Sequence, residues 1–293
     1  MKKFLVPIDF GGHTEITCTY ALELSRFEGA ELRLFHSFFD QIIIADSSFP
    51  DAIDMSTMYN EELLKEIFHH AERRMNELKE KLEQDIIKKK LQDVSVSISL
   101  AGGEIEHELN ELCQDFQPDL IIVGTTGLGK NLNVWGKVST FIINHSKVPV
   151  VAIPEIQRFL GFGRIMMAAD LTEENANSMR KILEIFRPYS AKLFCVHFLS
   201  KTKQKDEREK MKLLQKKFEA EEQSGLITFE MREIEEDNQK TIDQFVKDFA
   251  IEMIVFQPYK HGIFYRLFTK NITKKNLFAT NIPLLAIPVH TEK

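Results

Sequence analysis

The chain has 293 residues, with 38 Lys and Arg against 44 Asp and Glu for a formal charge of −6, and 43% of it is apolar. That apolar share builds packed cores and excludes a disordered, collagen-like or coiled-coil chain, while the length corresponds to about two domains of roughly 150 residues each. The longest apolar runs, at 120–123 and 148–153, fall far short of the ~20 residues that span a bilayer, and Pro7 and Asp9 cut short the run at 4–8 before it reaches secretory length, so the expectation is a cytoplasmic chain without membrane contact.

In chain order, Phe4-Leu-Val-Pro-Ile8 reads as a buried strand ending on Asp9, and residues 32–37 read as a second, ending on His36 and Ser37. Residues 41–60 begin apolar and turn polar around a proline. They form an excursion, either a lid or a partner-contacting segment. Leu64, Ile67, Ala71, Met75, Leu78 and Leu82 then recur every three or four residues, one apolar stripe on a long amphipathic helix. A third strand spans 94–100, a shorter helix carries Ile105, Leu109 and Leu112 after Gly102-Gly103, and a fourth strand at 119–123 runs into Gly124-Thr-Thr-Gly-Leu-Gly-Lys-Asn131. The fifth, at 148–153, stops at Pro154. Strand alternating with helix predicts a parallel α/β sheet covered on both faces, because parallel neighbours need long crossovers.

The second half repeats the first. A shift of 161 residues places Asp9 on Asp170 and His36 on His197, with Leu32-Arg-Leu-Phe-His-Ser-Phe38 facing Leu193-Phe-Cys-Val-His-Phe-Leu199. Val148-Pro-Val-Val-Ala-Ile-Pro154 recurs as Ile282-Pro-Leu-Leu-Ala-Ile-Pro288 at a shift of 134. This is an internal duplication, with domains expected over 1–154 and 162–289 and a boundary near 155–163, where Gly161 and Gly163 loosen the chain.

Ligands of such sheets bind beyond the carboxyl ends of the strands, where crossovers diverge to opposite faces. Asp9 sits there. Its carboxylate can accept hydrogen bonds from an adenine amino group or ribose hydroxyls, or it can serve a turn or helix cap; the sequence leaves both open. His36 and His197 read as core-edge histidines, each held by a backbone partner. In the octet after the fourth strand, three glycines let backbone amides approach an anion. Gly124 through Lys130 fills the first seven places of GxxxxGK, but Asn131 stands where a hydroxyl holds Mg²⁺, so a P-loop is not read. No GxSxG, HExxH or close Cys and His pair is present, and Cys18, Cys113 and Cys195 form no CxxC; neither catalytic residues nor a metal site is expected. Glu61-Glu62 and Glu221-Glu222 read as solvated helix faces.

Together the 4–10 strand, the Leu34-Phe-His36 strand end, Gly102, Asp119-Leu-Ile-Ile-Val-Gly-Thr125, the glycine loop and the 148–154 strand resemble the universal stress protein family in its tandem two-domain form. The resemblance implies a Rossmann-like five-stranded parallel sheet of order 3-2-1-4-5 in each copy, with the last strands of the copies pairing as an intramolecular pseudo-dimer. Association of two chains stays open. ATP-binding members resemble GxxG, nine residues, then Gly with Ser or Thr. By that likeness Gly124, Gly127 and Gly136 hold the triphosphate; with Asp9 and Ser37 at the strand ends, Gly129 in the same loop, and Lys130, Lys137 and Ser139 within reach of a phosphate, these form the expected nucleotide-binding set. Here eight residues precede Gly136 and Lys137 replaces the hydroxyl, which shifts amides by up to ~3.5 Å. The second copy has Phe256-Gln-Pro-Tyr259 and no GxxG, followed by a basic stretch over 260–275. Residues 1–154 carry 15 basic against 24 acidic residues and 155–293 carry 23 against 20. That balance and the lack of a reading motif argue against nucleic acid. The expected function is a non-catalytic stress-response sensor binding ATP in the first domain; the alternatives are a nucleotide-free scaffold acting through protein contacts and an adenylate-handling enzyme.

Overall fold

The computed structural model describes residues 1–38, 61–125, 137–155, 158–169, 171–199, 204–233, 238–257 and 282–288. The 41–60 excursion and the basic 260–275 stretch lie outside the described residues.

In the first half, β1 (Lys2–Pro7), β2 (Ala30–Ser37), β3 (Val94–Ala101), β4 (Leu120–Gly124) and β5 (Val150–Ile153) alternate with α1 (Thr14–Ser25), α2 (Glu61–Lys89), α3 (Ile105–Phe116) and α4 (Lys137–His145). The second half repeats this with β6 (Arg164–Ala168), α5 (Glu173–Phe186), β7 (Lys192–Leu199), α6 (Gln204–Lys217), the short α7 (Glu219–Gln223), β8 (Ile227–Glu233), α8 (Asn238–Asp248), β9 (Met253–Phe256) and β10 (Leu284–Ala286). The ten strands of the described residues join one sheet of order β3-β2-β1-β4-β5-β10-β9-β6-β7-β8. Each half has the order 3-2-1-4-5 that the family resemblance implies. The pairing is parallel throughout except at the centre, where β10 runs antiparallel to β5 with Leu284 opposite Ala152 and Ala286 opposite Val150.

The central strands β4, β5, β9 and β10 are apolar and buried at every position because both faces are covered, whereas the edge strands β3 and β8 carry serines or charged residues and are mostly half-buried. Phe4, Val6, Leu120, Ile122, Ile165 and Met167 face one core with α1, α2, α5 and α6, whereas Leu5, Ile121, Val123 and Met166 face the other with α3, α4 and α8. Successive residues thus alternate between two cores, as the pleat requires. On α2 the predicted stripe is observed, with Ala71, Met75 and Leu82 buried. Helices after β1 and β3 lie on opposite faces, so the crossovers diverge between β1 and β4. The equivalent divergence in the second half falls between β6 and β9.

The duplication extends to individual atoms. Left-handed backbone occurs at Phe10 and at its repeat Leu171, and again at Gln117 and Ala250, the residues that end α3 and follow α8. The histidine reading is also met: His36 Nδ1 lies 2.7 Å from Ile8 O and His197 Nδ1 lies 2.8 Å from Ala169 O.

The segment between the halves is packed, against the expectation that it loosens the chain. Phe162 is buried and touches Tyr20, Phe159, Phe186 and Tyr189 at centroid distances of 4.9–5.7 Å. Leu160 N donates to Tyr20 Oη at 3.1 Å, and Tyr189 Oη donates to Glu23 O and Leu24 O, both at 2.8 Å. Gly161, at φ +116°, turns the chain where a β-carbon would meet the Glu252 carboxylate. Aromatic rings from both halves therefore clamp the connection. Among the described residues no helix is long and apolar enough to cross a membrane.

Candidate functional site

The carboxyl ends of β1 and β4 and the amino terminus of α1 converge at the first divergence of crossovers. Asp9 leaves β1 and turns at once: Gly11 N donates to its Oδ1 at 2.8 Å, an Asx turn that places His13 at the start of α1. His13 Nε2 lies 3.3 Å from Asp9 Oδ1, with the imidazole buried and the carboxylate about one-third exposed. Burial raises the Asp9 carboxyl, but the hydrogen bond and charge of His13 and the Gly11 N–H outweigh it and hold the group below its ordinary 3.8.

The imidazole fills the crevice. A β-carbon built on Gly124 would fall inside the His13 ring, so glycine at this strand end serves close approach of a protein side chain. The Glu155 carboxylate closes over the same turn, with Oε1 2.8 Å from where a Gly12 β-carbon would stand. Beside it, the Phe10 ring packs edge-on against His36 at 4.9 Å, and the Arg74 guanidinium lies over Phe10 at 3.9 Å.

The predicted set divides accordingly. Asp9 and Gly124 meet at His13. Ser37 Oγ donates to Gly103 O at 2.8 Å on the neighbouring strand end. Ser139 is buried in α4, its Oγ 3.4 Å from Thr125 O, and Lys137 opens that helix. Gly127, Gly129, Lys130 and Gly136 lie outside the described residues. His13 itself was not in the predicted set. The signal was a histidine four residues after Asp9, following two glycines at a helix start.

The second crevice is filled differently. Phe4 pairs with Leu120 and Ile165 with Met253, so Gln257 occupies the place of Gly124. Asn175 Nδ2 donates to Gln257 Oε1 at 2.7 Å, and Gln257 Nε2 donates to Ser178 Oγ at 2.6 Å and Glu174 O at 3.2 Å. The repeat equivalents of Asn175 and Ser178 are Thr14 and Thr17. Their hydroxyls are buried without a hydrogen-bond partner among the described residues; Gly124 has no side-chain amide to place where that of Gln257 bonds Asn175 and Ser178. Such orphaned groups cost about 1–3 kcal/mol each. Among the described residues no group of three His, Cys, Asp or Glu is placed to hold a metal ion.

The sequence pattern of the universal stress protein family matches residues 1–154. No curated protein matches the chain. Among solved structures, a universal stress protein from Archaeoglobus fulgidus superposes with a TM-score of 0.70 at 14% identity, covering 98% of this chain and 96% of its own. A putative universal stress protein from Pseudomonas aeruginosa gives 0.60 at 12% identity, with 98% and 93% covered. The cytoplasmic domain of a prokaryotic cation chloride cotransporter gives 0.50 at 13% identity, with 97% and 94% covered. At such identities these likenesses establish the architecture, and one architecture hosts several functions. The match over 1–154, more than half of the sequence, establishes more: the chain belongs to the universal stress protein family.

Proposed function

We propose that this chain is a non-catalytic stress-response protein, with tandem domains over 1–154 and 162–289, that acts through protein contacts in a nucleotide-free state. The observation that carries the reading is the His13 imidazole seated over Gly124, where a polyphosphate would need bare backbone. The charges agree with it. Asp9 and Glu155 border the same turn, and two carboxylates repel a triphosphate from a partly buried crevice. In the second domain the Gln257 side chain donates both Nε2 hydrogens, to Ser178 and Glu174, and accepts from Asn175, so the side chain at that point is engaged within the protein.

The test is mass spectrometry of small molecules released from the purified protein, followed by thermal melting with and without millimolar ATP and Mg²⁺. A ligand at a hundredfold its Kd stabilises by about 2.7 kcal/mol, a shift of several degrees for domains of this size. The expected result is no released nucleotide and no shift. Adenine nucleotide in the extract, or a rise of several degrees with ATP, overturns the reading in favour of the ATP sensor.

A further inference from the structure

A cavity of about 410 Å³ lies between the two halves at the amino-terminal ends of β1, β4 and β5, at the opposite end of those strands from the His13 crevice. That volume falls within the roughly 300–1,000 Å³ of ligand sites. The internal repeat reveals what such a space holds. Related to it by the pseudo-twofold axis is the groove filled by Phe159, Leu160, Gly161 and Phe162.

The correspondence is atomic. Glu252 Oε2 accepts from Arg164 N at 3.2 Å and Arg164 Nη1 donates to Phe249 O at 2.9 Å. In the twin position Asp119 Oδ2 accepts from Lys3 N at 2.8 Å and Lys3 Nζ donates to Phe116 O at 3.0 Å. One groove carries Tyr20 and Tyr189 against the packed segment; the cavity carries their repeat equivalents, Lys181 and Glu28, over an apolar floor of Phe4, Leu24, Leu120 and Ile185. Tyr189 also lines the cavity while its ring packs on Phe162 at 4.9 Å. The cavity is therefore continuous with the interface that the aromatic segment already forms.

We propose that this cavity is a docking site for an extended protein segment with two aromatic residues three positions apart, entering as Phe159 and Phe162 enter the twin groove. The apolar floor receives the rings. Lys181, in the place of Tyr20, donates to a backbone carbonyl of the segment, and Glu28, in the place of Tyr189, accepts from a backbone N–H; the bond that Tyr20 Oη accepts from Leu160 N has no direct counterpart here, because an ammonium only donates. The site is separate from the His13 crevice and holds whether or not that crevice takes nucleotide.

The experiment is fluorescence anisotropy of the full-length protein with a labelled peptide of residues 158–163, Arg-Phe-Leu-Gly-Phe-Gly. Saturable binding with a Kd below about 1 mM is expected, weakened about tenfold or more when both phenylalanines are replaced by alanine. Glu28→Trp and Glu184→Trp, two exposed positions lining the cavity, are expected to weaken binding by a similar factor while the melting curve stays in place. No binding near 1 mM, equal binding of the alanine peptide, or unchanged binding to both tryptophan variants overturns the proposal; the last result means exchange with the twin groove. Sedimentation showing a second copy over the cavity, not displaced by peptide, overturns it as well.

Discussion

The seating of His13 over Gly124 makes a double-mutant prediction. In Gly124→Ala the new methyl group falls inside the imidazole, which must leave. The variant then loses the bond between His13 Nε2 and Asp9 Oδ1, 3.3 Å in the native protein, worth about 1.5–3 kcal/mol when one partner is ionised. The one-third exposure of Asp9 favours the low end, about 1.5 kcal/mol. In a His13→Ala background the obstruction is gone. Gly124 does not have a left-handed φ, so alanine there is neutral or stabilising by about 0.4–1 kcal/mol. The cost of the same substitution therefore changes by about 2 kcal/mol with the residue at position 13. Urea denaturation of the four proteins measures this coupling at constant m-value. Costs that add to within about 0.5 kcal/mol mean that the ring does not occupy the crevice.

Tyr189→Phe removes the hydroxyl shared by Glu23 O and Leu24 O and is expected to cost about 1 kcal/mol in urea melts; an unchanged midpoint refutes a role for this bond in holding the halves together. The Asp9 carboxyl titrates below 3.8 in the folded protein, so its contribution is complete above that pH and lost as pH falls through the folded value. Asp9→Asn should accordingly flatten the acid limb of stability measured from about pH 5 to about pH 2, and an acid limb unaltered by the substitution sinks the ion-pair assignment. Burial pushes the Cys18 and Cys195 thiols up to about 12, while Cys113 is half-buried and raised by burial as well. A thiol reagent at about pH 8 is expected to label Cys113 slowly in native protein and all three only on unfolding; fast labelling of three thiols contradicts the packing.

Much of the fold was legible in the residues. A strand buried on both faces is a near-continuous apolar run, as at 120–123 and 150–153, and a helix covered on one face carries a stripe, so such elements announce themselves locally. Two copies of one pattern kept the same turns, which is why the shift of 161 that aligns His36 with His197 also aligns their bonds to Ile8 and Ala169. The order of strands followed from the family resemblance.

The crevices were not legible. That His13 faces Gly124, and that Gln257 faces Asn175 and Ser178, depends on β1 lying beside β4 and β6 beside β9. The packed connection has the same origin: Gly161 and Gly163 read as loosening, yet Phe159 and Phe162 meet tyrosines brought from opposite halves. Periodicity and backbone preference act between near neighbours and so are written along the chain. Which side chain occupies a space between distant strands is settled by volume and hydrogen bonding after those strands have met.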